Sequence, residues 1–119
     1  MGGTVKIFMA DLENVNTEWL TEEIDLELLV FIERYATNLL KWDLLTFFGS
    51  RPEVKLKAEE IARQVGCSYK AVRSELGDLA ILGLLYKSSE QGQPVYQLTF
   101  DSILRPQVMK FAKSNFIRP

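Results

Sequence analysis

The sequence is poorest in the side chains that most often carry out chemistry. Its 119 residues include no histidine and a single cysteine. One cysteine excludes an internal disulfide, and without histidine the chain lacks the common zinc ligand sets and the commonest general base. These absences argue against a hydrolase or a metalloenzyme. We therefore expect a protein that is not an enzyme and that needs no cofactor or metal.

Long apolar runs are missing as well. Hydrophobic residues make up 47% of the chain, but charged residues interrupt its most apolar stretch, residues 24–48. No run therefore reaches the roughly 20 residues that span a bilayer. The N-terminus shows no secretory signal pattern. Length and composition are typical of one globular domain, and we expect a cytoplasmic protein without a membrane segment.

The net charge of −2 combines two unlike halves. Residues 1–50 carry three basic and nine acidic side chains, a net charge of −6, whereas residues 51–119 carry eleven basic and seven acidic ones, a net charge of +4. This asymmetry favours a C-terminal half that faces a polyanion while the N-terminal half packs elsewhere.

The N-terminal third is dominated by helical periodicity. Residues 1–20 form an arm or linker in this interpretation, and the apolar run at residues 5–9 is part of that arm or a short strand. Apolar residues then recur at helical spacing and predict a helix over residues 21–36, with Thr17 or Thr21 as its cap. A second helix is predicted over residues 38–48, either broken from the first near Thr37-Asn38 or continuous with it, and it ends before Pro52.

The most informative segment is residues 58–85. Ile61, Ala62 and Val65 share one face of a short helix, Gly66 permits the left-handed turn that ends it, and Ser68 can cap the next helix. The next helix, residues 69–82, carries the apolar stripe Val72, Leu76, Leu79 and Leu82. The spacing predicts two helices joined by a tight turn.

The rest of the chain predicts a hairpin and a closing helix. Residues 54–57 alternate as a short edge strand does, and residues 84–88 and 95–100 predict two strands around a polar loop, residues 89–94. An amphipathic helix is predicted over residues 103–117. The fold class is therefore mainly α with a small β-hairpin, an α+β arrangement.

This order of elements, from Leu40 to Thr99, resembles the winged helix-turn-helix DNA-binding domain of the MarR, ArsR and related bacterial and archaeal regulators. The residues that carry the resemblance are Ile61-Ala62-x-x-Val65-Gly66-Cys67-Ser68, Val72-x3-Leu76-x2-Leu79-x3-Gly83-Leu84-Leu85 and Tyr96-Gln97-Leu98-Thr99. It implies one domain over residues 21–119. Residues 21–48 supply N-terminal helices, 54–100 the helix-turn-helix and wing, and 103–117 a C-terminal helix.

The resemblance further implies a regulator whose recognition helix, residues 69–82, enters the major groove, with a wing at residues 89–94. Arg73 would pair with guanine, and Lys70 would reach guanine or a phosphate. Two departures weaken this interpretation: the wing tip carries Glu90 and no cation, and Gly77 interrupts the recognition helix, as a close-packing site or a weak point. The candidate DNA-binding residues are Ser68, Tyr69, Lys70, Arg73, Ser74, Lys87, Gln91, Gln93, Lys55 and Lys57.

A homodimer is expected from the surplus of apolar surface. The N-terminal helices are apolar on more than one side, and a winged helix of this size cannot cover them all. We expect pairing through residues 21–48 and 103–117. The candidate interface residues are Leu28, Phe31, Ile32, Tyr35, Leu39, Trp42, Phe111 and Phe116.

Other interpretations stay open. The chain can instead be a winged-helix interaction module in a larger assembly, since its total charge is acidic. The N-terminal aromatics can line a pocket for a small-molecule effector, although such residues are more often core. Cys67 is expected to be a buried filler of the turn.

Overall fold

The computed structural model describes residues 4–6 and 23–114, with side chains from Asp25 onward. Within these residues, two short antiparallel strands precede five helices and a β-hairpin. The elements are β1 (Thr4–Lys6), β2 (Glu23–Asp25), α1 (Leu26–Tyr35), α2 (Leu39–Ser50), α3 (Ala58–Val65), α4 (Tyr69–Ile81), β3 (Leu85–Glu90), β4 (Gln93–Leu98) and α5 (Leu104–Ala112). The predicted α+β class is confirmed.

Helix α1 begins later than the periodicity predicts. Residues 23–25 form β2, and the Asp25 carboxylate caps the helix by accepting a hydrogen bond from the Leu28 N–H at 3.1 Å. The predicted caps, Thr17 and Thr21, lie outside the described residues. The sequence leaves open whether α2 is separate from α1 or continuous with it. The structure shows a break, because Asn38 Oδ1 accepts from the Lys41 N–H at 2.7 Å and starts a new helix.

Helix α2 lies at the centre of the hydrophobic core. Leu44, Leu45 and Phe48 are fully buried, so α2 is covered on more than one side. Helix α5 crosses it closely at Gly49, where a Cβ atom would lie 2.5 Å from the Val108 carbonyl oxygen. A larger residue at this point would therefore push the two helices apart.

The helix-turn-helix matches its prediction closely. Gly66 ends α3 in the left-handed conformation, with φ +74°, and the Ser68 hydroxyl oxygen accepts from the Ala71 N–H at 3.2 Å. The inner faces of both helices are buried, including Ile61 and Val72. Cys67 corrects the expectation of a buried filler: the turn lies at the surface and the cysteine is exposed.

Both hairpin strands lie nearer to the turn than predicted, and the turn is tighter. Strands β3 and β4 pair as far as Glu90 opposite Gln93, so the predicted six-residue loop shrinks to Gln91 and Gly92. These two residues have φ values of +54° and +79°, positive at both central positions as in the type I′ turns that suit twisted hairpins. The predicted edge strand at residues 54–57 is a single bridge between Leu56 and Tyr96.

The closing helix α5 starts close to its predicted position. The Asp101 carboxylate accepts from the backbone N–H groups of Ile103 and Leu104, at 2.8 and 2.9 Å, and these bonds hold the pKa of Asp101 below its usual value. The helix ends at Ala112, and the described chain ends before Phe116. No helix among the described residues is both long and apolar enough to cross a membrane.

Candidate nucleic-acid interface

Helix α4 has an apolar inner face and an outer face that carries two cations. Val72, Leu76 and Leu79 point into the core. Lys70 and Arg73 are both exposed on the outer side, as the interpretation of α4 as a recognition helix requires. The helix is therefore rigidly seated while its cations remain accessible.

The two carboxylates of α4 are held on the side that faces α2. The Lys41 ammonium forms ion pairs with Glu75 and, at 3.6 Å, with Asp78. Asn38 Nδ2 also donates to Glu75 Oε2 at 3.3 Å. Burial alone would lower the pKa of Lys41, but its hydrogen bond to Glu75 and the charges of both carboxylates outweigh burial and raise it. One positive charge thereby offsets part of the negative charge of the two acids of α4.

A shallow depression joins α4 to the hairpin. Its volume is about 380 Å³. It is lined by Lys70, Arg73, Ser74, Gly77, Lys87 and Tyr96. None of these residues is acidic, and three carry a positive charge at neutral pH. Burial raises the pKa of Tyr96, although the nearby Arg73 opposes that shift, so its phenol stays neutral and can donate a hydrogen bond. The depression is suited to a group that accepts hydrogen bonds and carries negative charge.

Lys55 and Lys57, which lie in the segment before α3, contribute less positive charge to the interface than their number indicates. Lys55 Nζ lies 2.8 Å from a Glu90 carboxylate oxygen, and both side chains are about half exposed. Lys57 is half-buried at the start of α3, where its backbone N–H donates to Glu60 Oε1 at 3.0 Å. Neither lysine lines the depression, and Lys55 has a local counter-charge.

The structure brings together part of the sequence-predicted set. Lys70, Arg73, Ser74 and Lys87 share the depression. The remaining candidates lie outside it: Ser68 and Tyr69 are exposed at the start of α4, Gln91 at the hairpin turn, and Gln93 at the start of β4.

Gly77 and Tyr96 complete the depression but are absent from the predicted set. Gly77 lies seven residues after Lys70, a spacing that places both residues on the same face of a helix. This spacing could have predicted Gly77 as a site residue. Nothing in the sequence marks Tyr96 as a site residue, because the sequence does not show how β4 approaches α4.

The predicted dimer interface needs correction at four positions. Leu28, Phe31, Trp42 and Phe111 are buried within the chain itself. The Phe111 ring lies between the other two rings, 4.9 Å from that of Trp42 and 5.5 Å from that of Phe31. Aromatic packing of α1, α2 and α5 therefore keeps these side chains off the surface. Of the other candidates, Ile32 and Tyr35 are half-buried, Leu39 is exposed, and Phe116 lies outside the described residues.

A different apolar surface is exposed between α1 and α5. Leu26, Val30 and Ile103 are 43%, 50% and 67% exposed. They line a second depression of about 440 Å³, which has the buried Phe31 among its lining residues. This surface is continuous with the aromatic packing and carries apolar groups that the described part of the chain does not cover.

The sequence matches no protein-family model and no curated protein. Solved structures nevertheless share its architecture. A possible transcriptional regulator from Methanosarcina mazei Go1 has a TM-score of 0.58 and 14% identity, over 76% of this chain and 79% of its own. HlyU from Vibrio cholerae N16961 has a TM-score of 0.55 and 17% identity, over 69% of this chain and 85% of its own.

A third structure is the homodimeric winged helix-turn-helix DNA-binding domain of Mb0332 from Mycobacterium bovis, described as a possible ArsR-family regulator. Its TM-score is 0.54 and its identity 16%, over 71% of this chain and 76% of that one. The similarity at these identities is one of fold, and it confirms the resemblance given by the helix-turn-helix residues. The protein therefore has the winged helix-turn-helix fold, with α3 and α4 as its helix-turn-helix and β3–β4 as its wing.

Proposed function

We propose that the protein is a DNA-binding transcriptional regulator that inserts α4 into the major groove and lays the β3–β4 hairpin along the duplex. One observation carries the proposal: cations from α4 and β3 line a single depression without an acidic group. A duplex presents a regular array of phosphates. The cations of α4 and of β3 can therefore each pair with a phosphate at the same time.

The residue roles follow from chemistry and position. Arg73 can donate two parallel hydrogen bonds to guanine, and Lys70 reaches a guanine edge or a phosphate. Lys87, on the hairpin, contacts phosphate. Ser68 and Tyr69 lie at the N-terminal end of α4, where free backbone N–H groups and the helix dipole favour phosphate oxygens. Contacts of this kind fix the position of the helix, whereas Arg73 reads sequence.

The proposed active form is a homodimer that pairs through Leu26, Val30 and Ile103. These side chains form apolar surface that the described residues do not cover and that a second copy would cover. The Mb0332 domain, which shares the fold, is described as homodimeric. Two-fold pairing would set two recognition helices about 34 Å apart, one turn of DNA.

Binding to a random-sequence duplex tests the proposal directly. Fluorescence anisotropy is measured at about 50 and about 200 mM salt, since phosphate contacts make the affinity fall steeply with salt. We expect clear binding at the lower concentration and a large loss at the higher one. Absence of binding at about 50 mM salt would contradict the proposal and favour the alternative, an interaction module for an acidic protein.

Two substitutions separate base recognition from phosphate binding. Arg73→Ala should reduce the preference for a selected site over random DNA by about 1–3 kcal/mol, because a guanine contact carries sequence information. Lys87→Ala should weaken binding to both duplexes alike and lower the salt slope by about 0.9. Lys113→Ala, which removes an exposed cation at the end of α5, is the matched control and should change neither. Equal effects of the first two substitutions would contradict the assigned roles.

A further inference from the structure

Gly77 has no structural reason to be glycine. It lies in the interior of α4, where glycine is the least favourable residue after proline. A Cβ atom at this position would meet no atom of the described residues within 4 Å, and Gly77 is not among the glycines with positive φ. Gly49 is the contrast, because a Cβ atom there would clash with α5. Neither packing nor backbone conformation therefore requires Gly77.

The place of Gly77 on α4 supplies a reason. Lys70, Arg73, Ser74 and Gly77 recur at positions i, i+3, i+4 and i+7, and all four line the depression. The side chains along this face become smaller toward the C-terminal end of the helix. Lys87 and Tyr96 line the depression from the hairpin side. Because Gly77 has no side chain, space remains between the helix backbone and the two strands.

We propose that Gly77 is a clearance residue, which lets one phosphate of the DNA backbone enter the depression and lie against α4. Lys87 supplies the positive charge, and the hydroxyl groups of Ser74 and Tyr96 supply donors. A phosphate fits this lining because its oxygens accept hydrogen bonds and carry negative charge, whereas every polar side chain in the depression can donate a hydrogen bond and none of the lining residues is acidic. The inference rests on the proposed function, and it assigns a binding role to a residue without a side chain.

Substitutions that fill the space test the proposal. Gly77→Ala and Gly77→Gln both introduce better helix formers, so both proteins should fold and melt at temperatures at or above that of the unsubstituted chain. Affinity for a random duplex at about 50 mM salt should fall, by about threefold for alanine and about tenfold or more for glutamine, since one charge-assisted contact is lost. The salt slope of the glutamine variant should fall by about 0.9, the value for one phosphate.

A double-substitution cycle with Lys87→Ala identifies the phosphate. If Gly77 makes room for the phosphate that Lys87 binds, Gly77→Gln should have little further effect once Lys87 is alanine. Ile81→Gln is the control: it changes an exposed residue of the same helix that does not line the depression, and it should leave affinity within about twofold.

The outcomes separate the inference from the proposed function. If the unsubstituted protein binds DNA and Gly77→Gln binds equally well, the clearance role is overturned while the proposed function stands. Full additivity of Gly77→Gln and Lys87→Ala would overturn the shared phosphate. If the unsubstituted protein binds no duplex, both proposals fall together.

Discussion

At the residue scale, Gly49 and Gly77 are both helical glycines, but their surroundings differ. A Cβ atom at Gly49 would lie 2.5 Å from a carbonyl oxygen of α5 and 2.7 Å from the Ala112 Cβ, whereas Gly77 has open space around it. We predict that Gly49→Ala lowers the free energy of unfolding by about 1–2 kcal/mol, because overpacking outweighs the gain in helix propensity. Gly77→Ala should raise it by up to about 1 kcal/mol. Urea denaturation measures both; a change of the same sign at the two positions would contradict the packing of α5 on α2.

Sequence alone does not distinguish these glycines. Gly49 follows the helix predicted over residues 38–48 and Gly77 interrupts the predicted recognition helix, but the sequence shows for neither whether another helix packs against it. For Gly77 it leaves close packing and a weak point both open. The structure excludes close packing there. Lys70, Arg73 and Ser74 are predictable as an outward set, because the buried stripe of α4 fixes which face is left. The depression is not predictable, because it depends on the approach of Tyr96, which lies 19 to 26 residues further along the chain than the helix residues it meets.

At the element scale, Lys41 joins the core helix α2 to the proposed recognition helix α4. Its ammonium is mostly buried and pairs with Glu75 and Asp78. We predict that Lys41→Met lowers the free energy of unfolding by about 2 kcal/mol at neutral pH, because charge-assisted hydrogen bonds are lost and the acids of α4 lose their counter-charge. DNA affinity should fall as well, since those unpaired acids repel phosphate. Lys110→Met breaks a more exposed pair with Asp25 and should cost less than about 1 kcal/mol.

The stability difference between the unsubstituted protein and Lys41→Met depends on pH because the pKa of Lys41 is raised in the folded chain. A lysine whose pKa is higher in the folded than in the unfolded chain stabilises the fold fully below its usual value of 10.5. That stabilisation is lost as pH rises through the folded pKa. The stability gap between the unsubstituted protein and Lys41→Met should therefore be constant from about pH 7 to 9 and shrink above about 10.5. Denaturation curves of both proteins check this; a gap that grows in alkali would contradict the direction of the shift.

The sequence predicts the ends of an element well where residues next to them determine those ends. It predicts them poorly where pairing with a distant part of the chain determines them. The turn between α3 and α4 depends on Gly66 and the cap on Ser68, both of which act within a few residues. The sequence predicts a six-residue loop because Glu90 and Gln93 are residue types common in loops. In the structure these two residues pair with each other and belong to the strands. The sequence predicts too early a start for α1, because several polar residues before it can cap a helix. The tertiary structure selects Asp25 as the cap.

At the scale of the whole molecule, the proposed dimer depends on the surface between α1 and α5. Val30 and Ile103 are exposed and apolar. An acidic side chain at either position would lose its hydration in a dimer, a cost that Arg34, which lines the same surface, offsets only in part.

We predict that Val30→Asp and Ile103→Asp each shift the protein toward a monomer, as measured by light scattering at micromolar concentration. Ile81→Asp is the control: this residue is 86% exposed at the end of α4, outside the proposed interface, and should leave the dimer intact. The monomeric variants should also bind a duplex with two half-sites about 34 Å apart no better than a duplex with one, because the gain from two sites requires linked recognition helices. A protein already monomeric before substitution would contradict this surface as the interface and leave the exposed apolar groups of α1 without a second copy to cover them.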